Sequence, residues 1–352
     1  MAAKNIKTIR ILGIDTSCDD TAISVMEIRN SKFEVRSNVV SSQVKLHAKY
    51  GGVYPMLAKR EHIKNLPHVF KQATKSINLS EVDFIGVTNG PGLEPCLWQG
   101  VNFAKDLAAK LKKPLISVNH IEAHILANSI EWNPIPLKFP AVCLVVSGGH
   151  TQLILMKGIG KYRLIGETRD DAAGECFDKA ARILGLGYPG GPAISQLAAK
   201  WKSEIRNPKS EIKLPRPMIS QKNYDFSFSG LKTAVLYENK KQKTKNKKYI
   251  QAMCYEIQQS IIDVLIKKTI KAAKDFRVRS IILGGGVCAN DELRKQFKER
   301  IEKEIPSSDF YVPDLRLCTD NAAMIAAAAF FHKKEAAQNW QKIKADGNLR
   351  IC

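Results

Sequence analysis

Two stretches of the chain repeat one pattern, and this repetition restricts the fold more than any other feature of the sequence. Residues 8–28 and residues 141–156 each read as a strand, a tip of small polar residues and a returning strand. The tips are Asp15–Thr21 and Ser147–Thr151. We interpret both stretches as β-hairpins that each open a lobe, so the sequence predicts an internal duplication. Helices that alternate with strands after each hairpin predict an α/β protein.

The predicted domain boundaries follow from the length and from one proline-spaced segment. A chain of 352 residues is too long for one ordinary core. Residues 132–140 predict a linker between an N-terminal lobe over residues 8–131 and a C-terminal lobe over residues 141–318. We expect a C-terminal helix over residues 320–340, which includes the small-residue run Ala322–Phe331, to complete the N-terminal lobe.

His120 and His124 are the first candidates for a metal site. They lie four residues apart in a segment that reads as the start of a helix, so both imidazoles would lie on one helix face. Histidines at this spacing can bind one zinc or iron ion. The alternative is that one histidine packs in the core while the other faces solvent, and the spacing by itself does not decide between the two.

Small and glycine-rich turns are candidate phosphate-binding sites. Gly284–Asn290 lies between a predicted strand and a predicted helix, where backbone N–H groups can meet a phosphate. The first hairpin tip offers backbone N–H groups and hydroxyls to a phosphate and carboxylates to a metal, although an ordinary polar turn explains it equally well. Nearby, the carboxylate-rich segment Gly166–Lys179 is predicted to become a helix from Ala180, and Ser229 or Gly230 is predicted to cap a later helix.

The charge balance favours a polyanionic partner. The net charge is +21, from 55 Lys and Arg against 34 Asp and Glu, which indicates nucleic acid or an anionic surface. A lysine-rich genome would give the same excess. The basic run 240–248 is predicted to be a solvated loop, with an RNA contact as the alternative.

The cysteines and the apolar runs predict the compartment. Eight cysteines are scattered singly without a C-x-x-C pair, as expected for buried thiols in a reducing compartment. The sequence has no apolar run of eighteen residues and no secretion signal, so we expect a cytoplasmic protein that does not enter a membrane.

Several motifs occur together and in a fixed order. They are, along the chain, Gly13–Thr21, His120–His124, Val146–Leu153, Asp171–Glu175, Phe177–Lys179, Tyr188–Pro192, Phe226–Lys232, Gly284–Asn290 and Cys318–Asn321. The set resembles the TsaD/Kae/Gcp family over residues 9–330, and the bacterial TsaD branch of that family fits best.

The resemblance implies the actin-like, Hsp70-like ATPase (ASKHA) fold, with two duplicated lobes and a central cleft for an adenylate or ATP-type nucleotide. It implies one divalent metal held by His120, His124 and Asp320, with iron favoured and zinc as the alternative. It also implies that Asp19 is the catalytic carboxylate. The residues implied to hold the adenylate are Val146, Ser147, Gly148, Gly149, His150, Asp178, Gly191 and Asn290, together with the backbone turn Gly284, Gly285 and Gly286.

The implied activity is that of a tRNA N6-adenosine threonylcarbamoyltransferase, which is an acyltransferase. Such an enzyme moves the threonylcarbamoyl group from threonylcarbamoyl-AMP to the exocyclic amine of the adenosine on the 3′ side of the anticodon. Its tRNA substrates read codons that begin with A. The implied partners are tRNA, the paralogue TsaB as the second chain of a heterodimer, and the ATPase TsaE.

The chain departs from the family pattern at a few positions, and other functions compete with the implied one. Asp15 and Asp20 stand where the family usually has Glu, and residues 54–59 and 94–99 are altered in ways that bear on partner contact. The rival functions are an ATPase or small-molecule kinase of the same fold, a metallopeptidase, and a non-catalytic scaffold in a tRNA complex. The chain lacks the His-Glu-x-x-His order of zinc peptidases, and an intact ligand set argues against a scaffold.

Overall fold

The computed structural model of the protein describes residues 8–130, 137–204, 211–242, 246–337 and 340–351. Residues 132–136 of the predicted linker and residues 243–245 of the basic run lie outside these described residues.

Strands and helices alternate along the described residues. The strands are β1 (Ile9–Asp15), β2 (Asp20–Arg29), β3 (Lys32–Ser42), β4 (Phe84–Gly90), β5 (Leu115–Asn119), β6 (Ala141–Val146), β7 (Thr151–Gly158), β8 (Lys161–Glu167), β9 (Ser280–Gly284) and β10 (Asp309–Tyr311). The helices are α1 (Val44–Ala48), α2 (Pro55–Ala73), α3 (Glu94–Leu111), α4 (His120–Leu126), α5 (Ala173–Leu184), α6 (Gly190–Glu204), α7 (Ser229–Lys241), α8 (Lys247–Asp275), α9 (Asp291–Glu304), α10 (Leu315–Cys318) and α11 (Ala322–Phe331).

The strands form two five-stranded sheets with the same topology. Their orders are β3-β2-β1-β4-β5 and β8-β7-β6-β9-β10. In each sheet the first three strands of the chain order form an antiparallel meander, and the fourth strand pairs in parallel with the first. The repeated topology confirms the predicted duplication of an α/β unit.

The chain divides into two compact units. The first unit takes in Met1–His47, Val53–Leu137 and Pro313–Ile351, and the second takes in Ala48–Gly52 and Lys138–Val312. The first unit is therefore built from segments at both ends of the chain. The lobe boundaries given above from the sequence stay a prediction.

In the first unit, β1 lies between two layers of helices. Successive β1 side chains point to opposite faces of the sheet, so they contact different helices. Leu12 and Ile14 belong to the core that includes residues of α2 and α3. On the other face, Gly13 lies against α11, where an added Cβ would come within 2.3 Å of the Ala322 carbonyl oxygen. Only glycine permits this approach, and the short alanine side chains of α11 let the helix backbone come close to the strand. The close packing fixes the start of α11, and with it Asp320.

Two local predictions were wrong because side chains other than the predicted ones accept from the first N–H groups of a helix. Helix α5 begins at Ala173 rather than at Ala180. The Thr151 hydroxyl accepts from the Ala173 N–H at 2.9 Å, and the Glu175 carboxylate accepts from the preceding N–H at 3.3 Å. Neither Ser229 nor Gly230 caps α7. Asp170 accepts from the Phe228 and Ser229 N–H groups at 2.7 and 3.1 Å.

At the C-terminus, α11 ends at Phe331, and short 3₁₀ turns follow at Lys333–Glu335 and Trp340–Lys342. Among the described residues, no helix combines the length and the apolar character needed to cross a membrane.

Candidate metal centre and nucleotide-binding turns

Helix α4 places the two histidines. Its N-cap is Asn119, whose side-chain oxygen accepts from the N–H groups of Ile121 and Glu122 at 2.9 and 3.2 Å. This capping starts the helix at His120, as the sequence predicted. One turn of helix then brings His124 to the same face, and the two ring centroids lie 4.6 Å apart.

Asp320 meets both imidazoles from the segment before α11. Its Oδ1 atom lies 3.4 Å from Nε2 of His120 and 3.3 Å from Nε2 of His124. The next residue, Asn321, is the N-cap of α11 and accepts from the Met324 N–H at 3.1 Å. Two capped helix starts therefore hold the three side chains, which offer one ligand atom each within 4.8 Å of one another.

The three side chains fit a divalent metal. His120 and His124 are 6% and 1% exposed, yet the Nδ1 atom of each histidine has no hydrogen-bond partner among the described residues. Buried polar atoms are rarely left without a partner unless an ion or water completes the site. Two imidazoles and one carboxylate also form a donor set that suits iron or zinc.

The electrostatics of the group also favour a cation. Burial would lower the pKa of His120, but the negative charges of Asp320 and Asp15 outweigh it and raise this pKa to about 9. Burial would likewise raise the pKa of Asp320, but the two imidazoles hold it well below its usual range. The carboxylates therefore demand positive charge at this position, which a dication supplies more fully than a proton does.

Asp15 lies next to His120, near the ring nitrogen that does not face Asp320. It is fully buried, its Oδ1 atom lies 3.7 Å from Nδ1 of His120, and it accepts from the Ser17 N–H at 3.2 Å. Burial raises the pKa of Asp15 to about 6. From the sequence this residue stood out only as a departure from glutamate. The structure places it beside the His120 imidazole, where its negative charge raises the pKa of the ring.

The first hairpin tip, which carries Asp19, lies next to the same group. Ser17 Oγ is 3.5 Å from a carboxylate oxygen of Asp320. Burial raises the pKa of Asp19, a hydrogen bond from the Cys18 thiol opposes this, and the charge of Asp320 adds to the rise. Oδ2 of Asp19 is buried and has no hydrogen-bond partner among the described residues. The tip therefore presents a carboxylate oxygen that no structural hydrogen bond occupies.

A histidine that sequence reasoning missed holds this tip. His62 of α2 is fully buried, and its Nε2 lies 3.0 Å from the Cys18 carbonyl oxygen, which can only accept. The proton is therefore on Nε2, and Nδ1 accepts from the Thr21 hydroxyl at 2.7 Å. The Gln43 N–H donates to the Asp19 carbonyl at 3.1 Å. No sequence signal near the hairpin indicates these partners.

In the second unit, the predicted phosphate-binding turns meet at one edge of the sheet. The strands β6 and β9 are parallel neighbours, so the turns after Val146 and Gly284 lie side by side. Gly285 has φ +93°, and an added Cβ would lie 2.4 Å from the Val146 carbonyl oxygen. A Cβ on Gly148 or Gly149 would meet no atom within 4 Å. The turn at Gly285 is thus tightly packed on Val146, whereas the backbone at Gly148 and Gly149 is open.

The remaining predicted adenylate residues lie on helices that start near this edge. Gly174 of α5 donates its N–H to the Ser147 carbonyl at 3.1 Å, while Ser147 Oγ accepts from the His150 N–H at 3.0 Å. Asp178, one turn further along α5, accepts from the Gly190 N–H at 2.7 Å and so shapes the turn before Gly191.

Asn290 is the N-cap of α9, accepting from the Leu293 N–H at 2.9 Å, and its amide donates to Gln258 at 2.8 Å. The structure gives both Asp178 and Asn290 a structural hydrogen bond, and their contact with an adenylate stays a prediction.

Known proteins share this arrangement of motifs. A family model described as TsaD, tRNA N6-adenosine threonylcarbamoyltransferase, matches residues 34–327. Proteins of that name from Syntrophomonas wolfei and Thermosipho africanus are 49% and 47% identical to this chain. The matches span 92% and 97% of this chain and 92% and 99% of those proteins.

A solved structure of HypF from T. kodakarensis has a TM-score of 0.58 at 13% identity, over 96% of this chain and 49% of HypF. The chain thus spans about half the length of HypF. At this identity the likeness concerns the fold alone, and with the paired sheets it confirms the predicted ASKHA-type α/β fold.

Proposed function

Because the chain belongs to the TsaD family of tRNA N6-adenosine threonylcarbamoyltransferases, we propose that it transfers threonylcarbamoyl from threonylcarbamoyl-AMP to the adenosine beside the tRNA anticodon. A C–N bond forms between the exocyclic amine and the carbamoyl carbon, and the bond from that carbon to the phosphate oxygen of AMP breaks. The amine loses one proton, and AMP leaves with its phosphate charged. The observation that carries the proposal is the group formed by the buried His120 and His124 with the half-buried Asp320.

In this proposal the three side chains hold a divalent metal, with iron favoured by the family and zinc as the alternative. Bound there, a dication would polarise the carbonyl of the activated substrate and offset charge on the phosphate. Metal analysis of the chain purified without oxygen and without added metal distinguishes the two ions.

Asp19 is proposed to accept the proton of the attacking amine. Its unpartnered, buried Oδ2 and its raised pKa are properties of a general base, since a carboxylate with a higher pKa takes a proton more readily. The Asp19→Asn variant keeps the size of the side chain but removes the charged acceptor. It is expected to bind metal like the wild type and to lose transfer.

The glycine turns of the second unit are proposed to hold the adenylate. Their open backbone at Gly148 and Gly149 lets N–H groups approach phosphate and ribose without a Cβ in the way. The excess of positive charge is proposed to bind the tRNA backbone, so affinity should fall steeply with salt. An anticodon loop is single-stranded, and its bases can be turned outwards at modest cost.

The family also supports a proposed set of partners. We propose that the chain acts in the cytoplasm, pairs with TsaB and works with the ATPase TsaE. Of the basic run 240–248, the residues that the structure describes are exposed, and Lys241 pairs with Glu238 at 3.1 Å. This run is a candidate for part of the tRNA contact.

One experiment tests the function. The chain, with its partners, is incubated with threonylcarbamoyl-AMP and unmodified tRNA, with and without a chelator, and modified adenosine is measured by mass spectrometry. The variants His124→Ala and Asp320→Asn should lose both metal and transfer but retain tRNA binding. The exposed residues His68 and Asp106 supply matched controls, His68→Ala and Asp106→Asn, which should behave like the wild type. Transfer that persists in metal-free protein would refute the metal role, and turnover of ATP with a small acceptor would favour the kinase alternative.

A further inference from the structure

The helix that carries the two histidines is also attached on its opposite side. Successive residues turn by about 100° around a helix, so Glu122 points away from the face shared by His120 and His124. Glu122 is 5% exposed. Both of its carboxylate oxygens lie 2.9 Å from Nε2 of His332. The buried Glu122 and the half-buried His332 thus form an ion pair that contributes no metal ligand.

The contacts of His332 identify its charge. Nε2 faces the carboxylate of Glu122, and Nδ1 lies 3.0 Å from a carboxylate oxygen of Glu335. A carboxylate only accepts hydrogen bonds, so both ring nitrogens must donate and the ring is an imidazolium. Glu335 is 74% exposed and Glu122 is buried. The bond to Glu122 is therefore the one that acts inside the protein.

The ion pair and the metal group lie at opposite ends of α11. Asp320 lies just before this helix, and His332 is its C-cap. A helix of this length spans about 15 Å. Helix α4 packs on α11. Its two histidines contact Asp320 just before the start of α11, and its Glu122 contacts His332 at the end of α11.

The surface of α11 makes the second attachment necessary. Between its ends the helix presents mostly alanines, from Ala322 to Ala329. Interlocking of large side chains normally fixes the rotation of one helix on another, and alanines offer little of it. A directional, charged hydrogen bond can fix that rotation instead.

We propose that Glu122 and His332 are positioning residues for the metal site. Their ion pair sets the rotation and the axial position of α4 on α11, and so brings His120 and His124 to Asp320. The role rests on the metal function proposed above. Neither Glu122 nor His332 is one of the three proposed ligands. Replacing either residue therefore leaves all three ligands present but misaligned.

The test measures metal affinity directly. Full-length protein is stripped with chelator and titrated with Co²⁺, whose visible absorption reports the geometry of the bound ligands. His332→Leu and Glu122→Gln should weaken Co²⁺ binding by about tenfold or more, as is usual for residues that orient metal ligands, and should change the absorption bands. Glu335→Gln, which removes only the exposed partner of His332, should bind like the wild type. His332→Lys restores a charged donor and should recover most of the affinity.

The outcomes separate this role from the enzymatic one. Circular dichroism identifies variants that fold, and Glu122→Gln, which preserves side-chain size, serves if His332→Leu does not. Wild-type affinity and spectrum in folded His332→Leu and Glu122→Gln overturn the positioning role but leave the proposed transfer intact. A wild-type chain that binds no Co²⁺ overturns both the positioning role and the metal role.

Discussion

The contact between Gly13 and α11 gives the sharpest prediction, because it joins the core of the first unit to the position of Asp320. In Gly13→Ala, the new Cβ would lie 2.3 Å from the Ala322 carbonyl oxygen and 2.9 Å from the Ala326 nitrogen. Both atoms are backbone, so no side chain can rotate away. The start of α11 must therefore move by about 1 Å to restore ordinary contact distances.

The expected cost follows from the size of this displacement. Overpacking of a core by one methyl group typically costs about 1–3 kcal/mol, and a backbone clash places Gly13→Ala near the upper end. For a unit of this size, each kcal/mol lowers the melting temperature by about 2–4 °C, so the variant should melt roughly 6–12 °C below the wild type. Because Asp320 directly precedes the displaced helix start, Co²⁺ affinity should fall as well.

Gly86→Ala is the matched control. Gly86 is the neighbour of Gly13 in the parallel register of β1 and β4, and it also faces α11. Its added Cβ would meet the Ala329 side chain at 2.8 Å, towards the far end of the helix. We expect a smaller loss of stability and a smaller loss of Co²⁺ affinity than in Gly13→Ala, because the Ala329 side chain lies away from the helix start that precedes Asp320. Calorimetry with Co²⁺ titration measures both quantities, and equal loss of metal affinity in the two variants would refute the proposed link between helix start and site.

Three further predictions concern polar contacts. Asp170→Asn weakens the charge-assisted hydrogen bonds at the start of α7 and should lower stability by about 1–3 kcal/mol in thermal unfolding; an unchanged melting temperature would contradict this. His62→Leu releases the hairpin tip, so kcat for transfer should fall at least tenfold with metal content unchanged, since Asp19 loses its fixed position; loss of metal instead would show a wider role. The hydrogen bond that His332 donates to Glu122 raises the pKa of His332 to about 9, so the stabilising effect of this bond is complete below about pH 6.5 and is lost as the pH rises through 9. The difference in melting temperature between wild type and His332→Leu should therefore shrink over this range, and a constant difference would exclude the charge as its origin.

The features that the sequence predicted well are local. Each hairpin is a continuous segment of two largely apolar strands joined by a small polar tip, and this information lies within residues 8–28 and 141–156. The start of α4 at His120 was predictable for the same reason, because Asn119 caps the helix from the adjacent position. The family motifs then connected Asp320 to the histidine pair across the chain.

The features that the sequence did not predict depend on partners far apart in the chain. Asp170 caps α7 across 58 and 59 positions, and Glu122 meets His332 across 210. A single sequence carries no signal of such pairs, because the residues need only meet after the sheets have formed. The same holds for His62, which reads as an ordinary helix residue until the hairpin tip packs against it.

The divided path of the first unit has a consequence for synthesis on the ribosome. The histidines are made first, whereas Asp320 and the helix that packs on Gly13 emerge only after the second unit has been synthesised. Since domains generally fold as units during synthesis, the second unit, almost wholly continuous over Lys138–Val312, can complete its core first. A nascent chain would then carry a finished second unit before Asp320 joins His120 and His124, so this group would form only after the second unit has folded.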